Sequence, residues 1–336
     1  MASAPSWSGA AGGRPACVGL VAMAMSLGAL SQPLQAQEEA AAALPPAVTL
    51  HPDVPSLQAA APAAVGGWAR TFGYHRPGDG GAALYRIAAA SPDRPADGGE
   101  VVAIGQDRVA VLEEGHAVNY RMFGARGDGQ SDDGQAIRRA HDYANRRGLP
   151  VVNLSGEFWI TETTGILIQT PVSWGATVFH IDERYNRRNA PRFVVRGRRE
   201  AVSLTADEAV KAALLRDLRP GVQIIPALAP YAGHLFSVLD DKDRIGIRAG
   251  YAGNRGWARE ELFYVEEEGR IIGDIAWAFN DVTAITATPC EDTYLVISGG
   301  GFRFSGDSPE NSQPGYHQHG IAVQRSRTVI REQWMG

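Results

Sequence analysis

Short apolar runs separated by glycine-rich or polar turns recur along most of the chain. Runs of this length, rich in Val, Ile, Phe and Tyr, are typical of β strands. They fall at 68–74, 83–87, 101–104, 109–112, 151–154, 158–160, 165–169, 176–181, 192–196, 201–204, 222–225, 235–239, 244–248, 261–265, 270–275, 282–287, 294–298 and 320–323. Many short strands with few helices between them predict an all-β fold, built as a sandwich, a barrel or a solenoid.

Two segments have helical spacing instead. Residues 134–147 carry apolar side chains at positions 136, 137, 140, 143 and 144, and Gly148 follows them as a helix C-terminus requires. Asp132 or Asp133 can accept hydrogen bonds from the free N–H groups at the start of this helix. The second helix begins with Thr205-Ala206-Asp207-Glu208, which has the pattern of a capping box.

The N-terminus differs from the rest of the chain. Arg14 is the single charge within the first 36 residues, and an apolar run from 16 to 30 follows it. A membrane span needs about 20 residues, so we interpret 1–36 as a secretory signal peptide, with an uncleaved anchor as the alternative. Residues 37–52 are interpreted as a linker and 53–118 as a small N-terminal β segment. We expect a secreted or periplasmic protein that has no membrane attachment after signal removal.

Composition narrows the classes of function. Lysine and arginine number 32 against 37 aspartate and glutamate, which gives a net charge of −5. An overall basic composition, expected of a nucleic-acid-binding protein, is therefore missing, and we expect no nucleic-acid partner. The two cysteines, Cys17 and Cys290, cannot form a disulfide framework.

A long motif extends from Asn119 to Ile160. It contains Phe123-Gly124-Ala125-Arg126-Gly127-Asp128-Gly129-Gln130-Ser131-Asp132-Asp133, then the 134–147 helix, then the turn Ser155-Gly156-Glu157-Phe158. This arrangement resembles the opening of the pectate lyase-like superfamily, whose members have the pectin lyase fold. Upstream, Gly73-Tyr74, Pro77-Gly78-Asp79-Gly80-Gly81 and Tyr85-Arg86 are similar to the opening segment of phage tailspike-type proteins.

The resemblance implies both a fold and a class of function. It implies an all-β, right-handed parallel β-helix over 119–336, with 134–147 as the helix that caps its first coil. It also implies cleavage or binding of polysaccharides along the groove beside the coils. The Gly127-Asp128-Gly129 stretch resembles part of an EF-hand loop without its later bidentate Glu, so we interpret it as a turn and helix cap.

Arginines concentrate in two middle segments of this acidic chain. The first contains Arg184, Arg187, Arg188, Arg192, Arg196, Arg198 and Arg199. A guanidinium can hold a carboxylate or sulfate through two hydrogen bonds, so the segment predicts a polyanion site, with a solvated loop between coils as the alternative. In the second segment, Arg248 lies near the aromatic Trp257. We take Arg184, Arg187, Arg188, Arg248 and Trp257 as the candidate substrate-binding residues.

Three carboxylates lie together in Asp240-Asp241-Lys242-Asp243. Two positioned carboxylates suit glycoside hydrolysis, which makes Asp240, Asp241 and Asp243 alternative catalytic acids. The same oxygens suit Ca²⁺, and a plain acidic turn after strand 235–239 is the third interpretation. We expect no metal ion and no cofactor, with Ca²⁺ kept as an alternative.

The stretch Tyr316-His317-Gln318-His319 carries the remaining candidates. If it is extended, His317 and His319 point to one face and Tyr316 to the other. Imidazole titrates near neutrality and suits a general base that removes an acidic C5 proton. His319-Gly320-Ile321 also resembles the Gly-His-Gly strand of polygalacturonases, except that Gln318 replaces the first Gly. Surface histidines before a strand are the plain alternative.

We therefore predict an exported enzyme that degrades an acidic, uronate-containing polysaccharide by β-elimination. Its catalytic residues would be His317, His319 and Tyr316. One alternative is a glycoside hydrolase of the polygalacturonase-like type, and the other is a non-catalytic β-helix that binds polysaccharide. An acidic polysaccharide is the partner in each case, and a homo-oligomer is compatible with all three.

Overall fold

The computed structural model describes residues 48–61, 64–186, 190–247, 249–250, 252–307 and 320–336. The predicted signal peptide 1–36 and residues 37–47 of the predicted linker lie outside these ranges. The described part of the chain is mostly β structure with few helices. Within it, no helix combines the length and the apolar character that crossing a membrane requires.

An N-terminal sheet comes first. Its elements are β1 (Val48–His51), α1 (Val54–Ala59), β2 (Trp68–Thr71), β3 (Leu84–Ala89), β4 (Val101–Ile104) and β5 (Arg108–Leu112), with the strand order β1-β2-β3-β5-β4. The Asp53 carboxylate caps α1 by accepting the Ser56 N–H at 2.8 Å. β1 lies inside the range predicted as linker. Its parallel pairing with β2 uses main-chain groups, which need no apolar period in the sequence.

The later elements follow one another along the chain. They are β6 (Asp128–Asp132), α2 (Gly134–Arg147), β7 (Val151–Val152), β8 (Glu157–Ile160), β9 (Ile166–Ile168), β10 (Val172–Ile181), β11 (Phe193–Arg196), β12 (Val202–Ser203), α3 (Glu208–Asp217), β13 (His234–Ile245), β14 (Trp257–Val265), β15 (Ile271–Ile272), β16 (Ala284–Pro289), β17 (Leu295–Phe304), β18 (Ile321–Gln324), β19 (Thr328–Arg331) and β20 (Trp334–Met335).

Strands β6–β11 and β17–β20 pair in parallel, and we name them the parallel stack. One sheet has the order β19-β17-β10-β8-β6, with β7 also on β10 and β20 also on β17. The other has the order β18-β11-β9. β10 and β17 are direct neighbours although β12–β16 lie between them in the chain. The predicted parallel sheets are therefore confirmed.

Aromatic side chains in register fill the stack. Phe158, Phe179 and Phe302 are cross-strand partners on β8, β10 and β17, and all three are fully buried. The rings of Phe179 and Phe302 stack with centroids 5.3 Å apart. Trp174 is also fully buried and meets the ring of Phe179 edge-on at 5.1 Å. Side chains alternate between the two faces of a strand, so the residues beside each Phe point outward.

Helix α2 has the bounds predicted from its apolar spacing. Ile137, Ala140 and Tyr143 are buried and belong to the same hydrophobic core as the strands of the parallel stack. Gly148 ends the helix with φ of 70°, a left-handed conformation that suits glycine, and its N–H donates to Ala144 O.

The acidic motif before α2 holds a turn and the helix start, as predicted. Asp128 Oδ1 accepts the N–H groups of Gln130 and Ser131, and Asp132 Oδ1 accepts the Gly134 N–H at the helix start. The buried Asp133 carboxylate binds backwards instead, to the N–H groups of Arg126 at 2.6 Å and Gly127 at 3.0 Å. Burial raises the pKa of Asp133 to about 6, although these two hydrogen bonds favour its charged form.

Strands β12–β16 depart from the parallel pairing predicted for 119–336. They form an antiparallel sheet of order β12-β16-β13-β14-β15, which we name the inserted sheet. Together with α3 it has its own hydrophobic core, in which Phe236 and Phe263 stack at 5.5 Å. The apolar pattern located most of these strands, but parallel and antiparallel strands have the same period of two.

Candidate functional site

Most of the sequence-predicted site residues lie outside the described ranges. These are Tyr316, His317 and His319, proposed as catalytic, and Arg187, Arg188 and Arg248, proposed for substrate binding. Their roles stay predictions.

Arg184 lies just after β10 and binds carboxylates of its own chain. Its Nε and Nη2 hold the two oxygens of Asp182 at 2.9 and 2.6 Å, and its Nε is 3.6 Å from Asp307. The hydrogen bonds from Arg184 lower the pKa of the buried Asp182 carboxyl. A bound polyanion would have to compete with Asp182 for this guanidinium, so Arg184 stays a candidate without support from its geometry.

The acidic stretch 240–243 lies within β13, where the pairing with β14 shifts register between Asp240 and Arg244. The buried Asp240 accepts the N–H groups of Lys242 at 3.0 Å and Asp243 at 3.2 Å. Asp243 forms an ion pair with Arg259 at 2.8 Å, while Asp241 is exposed. Among the described residues, no group of three or more His, Cys, Asp or Glu side chains is placed to hold a metal ion. The strand predicted to end at Leu239 therefore continues to Ile245, and the predicted acidic turn is a bulge within β13. The catalytic roles of Asp240, Asp241 and Asp243 stay predictions.

Trp257 is the first residue of β14 and pairs with Ile245, the last residue of β13. It is 44% exposed. Its indole packs over Gly246, where an added Cβ would meet the ring at 3.3 Å. The Trp257 side chain is therefore partly exposed, and it lies in the inserted sheet rather than in the parallel stack.

The parallel stack presents a set of side chains that the sequence analysis missed. Trp159 on β8, His180 on β10 and Arg303 on β17 are partners across three adjacent strands. Each alternates with a buried aromatic or aliphatic residue and therefore points outward. Together with Glu157 and Trp334 they form what we name the outer row.

An acid and a base touch within the outer row. His180 Nε2 lies 2.8 Å from Glu157 Oε2, and the side chains are 16% and 53% exposed. With Nε2–H donated to this carboxylate, the neutral imidazole has Nδ1 as its basic nitrogen. Trp159 stacks on the same imidazole, with centroids 5.4 Å apart and planes 11° from parallel. The imidazole is therefore held by a carboxylate and by an aromatic face.

Arg303 and Trp334 continue the outer row. The Arg303 guanidinium lies over the Trp334 ring, 5.6 Å from its centroid. Trp334 rests against Gly301, where an added Cβ would lie 2.1 Å from the indole, so only glycine allows this approach. Trp334 is 45% exposed and Arg303 is exposed. Within the described residues, Arg303 has no carboxylate partner.

This arrangement can bind and act on a sugar chain. Indole rings offer flat apolar faces for sugar C–H groups, and a free guanidinium can bind a carboxylate. An imidazole oriented by a carboxylate can act as a general base. Alternation within 157–160 and 178–181 could have shown which side chains share a face. That His180 lies beside Arg303 depends on the pairing of β10 with β17.

Comparison with known proteins found similar solved structures. No family model matches the chain, and no curated protein matches it. WceF of Pantoea stewartii, a glycan biofilm modifying enzyme with a tailspike-like parallel β-helix fold, is 16% identical over 46% of this chain and 25% of that one, with a TM-score of 0.33. Tailspike gp49 of the Acinetobacter baumannii bacteriophage Fri1, a capsular polysaccharide depolymerase, is 11% identical over 86% and 38%, at 0.34.

The enzymatically active domain of tailspike protein 2 from bacteriophage CBA120 is 12% identical over 76% of this chain and 32% of that one, with a TM-score of 0.33. The chain thus spans well under half the length of each of these proteins. All these TM-scores are below 0.5, so we base the functional interpretation on the residues of this chain.

Proposed function

We propose that this protein is an exported right-handed parallel β-helix of the pectate lyase-like superfamily that binds an acidic polysaccharide on the outer row and cleaves it by β-elimination. The observation that supports this most is the His180–Glu157 hydrogen bond, set between the Trp159 ring and the Arg303 guanidinium. These groups supply a base, a means of orienting it, a stacking surface and a carboxylate-binding cation.

The chemical step uses these groups as follows. Arg303 binds the uronate carboxylate and withdraws electron density, which makes the neighbouring C5–H more acidic. His180 Nδ1 takes the C5 proton while Glu157 holds Nε2–H and stabilises the imidazolium that forms. The C4–C5 double bond forms as the C4–O bond breaks, the leaving oxygen takes a proton from water, and His180 then returns the C5 proton to the solvent. The products are an unsaturated uronate end and a shortened chain.

The two indoles account for binding of a chain rather than a single sugar. Trp159 on β8 lies at one end of the register line through His180 and Arg303, and Trp334 on β20 lies beyond the other end, where it pairs with Gly301 of β17. Each can pack against a sugar ring, so consecutive residues of the polymer would be held on either side of the base. Stacking of this kind tolerates different sugars, whereas Arg303 selects for a negative charge.

The test is turnover of uronic-acid polymers by the wild type and His180→Ala, assayed for both unsaturated ends and reducing ends. The variant should lower kcat by about 10² to 10⁴, with little change in KM. His116→Ala, an exposed histidine of the N-terminal segment, is the matched control and should retain full activity.

Each outcome separates the alternatives. Equal activity of His180→Ala and wild type would remove the outer row as the active site and leave His317 and His319 as the candidates. Reducing ends without unsaturated ends would favour a hydrolase. Saturable polymer binding that Trp159→Ala weakens, without any product, would favour the non-catalytic binding protein.

A further inference from the structure

A pocket separate from the outer row lies where the chain leaves the parallel stack after β11 and where it returns to it before β17. It has a volume of about 520 Å³, within the usual range of about 300 to 1,000 Å³ for small-molecule sites. Its walls come from the ends of β11 and β18 in the stack and from β13 and β16 in the inserted sheet. It shares no lining residue with the outer row.

Two arginines in this pocket form no ion pair with a described carboxylate, although Glu200 and Glu291 also line it. Arg196 donates from Nε and Nη2 to the neutral Gln324 Oε1 at 3.2 and 3.1 Å. Arg199 donates to the carbonyl oxygen of Cys290. Neither has a carboxylate partner in the described part of the chain. Both are exposed at the edge of the pocket, where a bound anion can reach their remaining N–H groups.

A buried acceptor lies deeper in the same pocket. The Arg325 side chain is 7% exposed and donates to the carbonyls of Ser326, Thr293 and Arg327, while Glu291 lies 4.0 Å from it. Glu291 Oε1 is buried and accepts no hydrogen bond from any described residue. A buried oxygen without a donor is costly, and a ligand hydroxyl would satisfy it.

One wall of the pocket is apolar. Leu235 and Val323 remain 40% and 50% exposed there, and Pro289, the last residue of β16, lines the same pocket. Apolar side chains of this size gain free energy when a ligand covers them. The pocket thus combines an open cationic edge, a buried acceptor and an apolar side.

We propose that this pocket binds a small carboxylic acid that also carries hydroxyl groups, of the sugar-acid class. Arg196 and Arg199 bind the carboxylate, Glu291 Oε1 accepts a hydrogen bond from a hydroxyl group, and Leu235 and Val323 contact the C–H face of the ring. Because walls from both the stack and the inserted sheet contact it, the ligand ties the two together. The pocket stands independently of the function proposed for the outer row.

The test is calorimetric titration of the full protein with D-glucuronate, with neutral D-glucose and inorganic phosphate as comparison ligands. Glucuronate should bind saturably at one site, and glucose and phosphate at least tenfold more weakly. Arg199→Gln should lower the affinity for glucuronate by about tenfold or more, since a charge-assisted hydrogen bond is lost. Arg219→Gln, an exposed arginine outside the lining, should change nothing.

A second variant tests the buried acceptor. An added Cβ at Gly197 would lie 2.4 Å from Glu291 Oε1, so Gly197→Ala should displace that oxygen. The variant should bind glucuronate more weakly than the wild type, while its affinity for phosphate stays as low as before. Circular dichroism and the melting temperature check that each variant is folded.

The outcomes are distinct from those for the outer row. Binding that survives His180→Ala and fails in Arg199→Gln supports the pocket. Binding lost in His180→Ala and kept in Arg199→Gln places the ligand on the outer row and overturns this proposal. Failure of wild type to bind glucuronate overturns it as well, as does equal affinity for glucose or for phosphate.

Discussion

The parallel stack and the inserted sheet contain nearly the same core contact in two different settings. In the stack, Phe179 and Phe302 stack at 5.3 Å, and in the inserted sheet Phe236 and Phe263 stack at 5.5 Å. The first pair joins strands from distant parts of the chain in parallel register. The second joins neighbouring strands of an antiparallel pair. Core composition alone therefore does not distinguish the two regions.

The difference appears on the outer faces. Parallel register places residues of the same strand position side by side, so Trp159, His180 and Arg303 form one continuous line. On the outer face of the inserted sheet, Leu235 lies opposite Tyr264, Ser237 opposite Leu262 and Leu239 opposite Glu260. These three pairs hold one carboxylate and neither a base nor a cation. In the function we propose, the stack therefore carries the reacting groups, whereas the inserted sheet contributes a wall of the pocket at Arg196 and Arg199.

The largest expected effect comes from removing either core phenylalanine. Phe179→Ala and Phe236→Ala should each cost about 3 to 5 kcal/mol of unfolding free energy, because both side chains are fully buried. Hydrogen exchange should locate the loss in β8, β10 and β17 for Phe179→Ala and in β13 and β14 for Phe236→Ala. Equal loss of protection in both regions for both variants would show that they unfold as one unit.

Acid should weaken the stack more than the inserted sheet. His141 on α2 is fully buried, and burial lowers its pKa to about 3, whereas His234 of the inserted sheet is only half-buried. Below its usual pKa near 6.5 the unfolded chain binds a proton that the folded chain does not. The free energy of unfolding that neutral His141 contributes is therefore fully present above pH 6.5, and it is lost progressively as the pH falls towards 3.

Between pH 7 and pH 5, His141 alone should lower the free energy of unfolding by about 2 kcal/mol. Asp133, whose pKa is raised to about 6, should offset part of this loss as it takes up a proton. Denaturant unfolding at the two pH values measures it. His141→Gln should flatten that dependence, and His116→Gln, at an exposed site, should leave it intact. An unchanged pH dependence in His141→Gln would mean that other groups cause the acid sensitivity.

A smaller effect distinguishes the helix starts of the two regions. Asp133→Ala should cost about 2 kcal/mol, because it leaves the N–H groups of Arg126 and Gly127 without their acceptor. Asp207→Ala at the start of α3 should cost about 1 kcal/mol, the usual value for a cap that accepts one N–H, here that of Val210. Thermal melts give both values. Loss of turnover without a change in melting for Asp133→Ala would instead indicate a catalytic role.

Local patterns predicted the helices better than the site. Helix α2 was correct at both ends because its apolar spacing and Gly148 are local signals. The capping box at Thr205 was wrong, since Asp207 caps α3 and Thr205 Oγ1 accepts the Ile285 N–H of a distant strand. The packing of β16 against that segment decides this, and no local pattern contains it.

The outer row shows the same limit. Sequence alternation places Trp159 and His180 outward, but their proximity to Arg303 requires that β17 return beside β10 after the whole inserted sheet. Strand pairing across such a distance is set by the tertiary fold. Neither arginine-rich segment of the sequence contains Arg303, and the fold decides which arginines lack a carboxylate partner among the described residues.

The closeness of the two ends of the inserted sheet has a consequence for folding kinetics. Arg199 binds the carbonyl of Cys290, so the chain leaves and re-enters the stack at nearly the same point. β10 ends at Ile181 and β17 begins at Leu295, so pairing them across an unfolded segment would carry a large entropic cost of loop closure. This cost grows by about 0.6 kcal/mol for each doubling of the loop length. An inserted sheet that folds first from its local pairings shortens that loop before the strands meet. In pulsed hydrogen exchange during refolding, the amides of Phe236 and Phe263 should therefore become protected before those of Phe179 and Phe302. The insertion that separates β10 from β17 in the sequence would then be the reason why these two strands pair quickly.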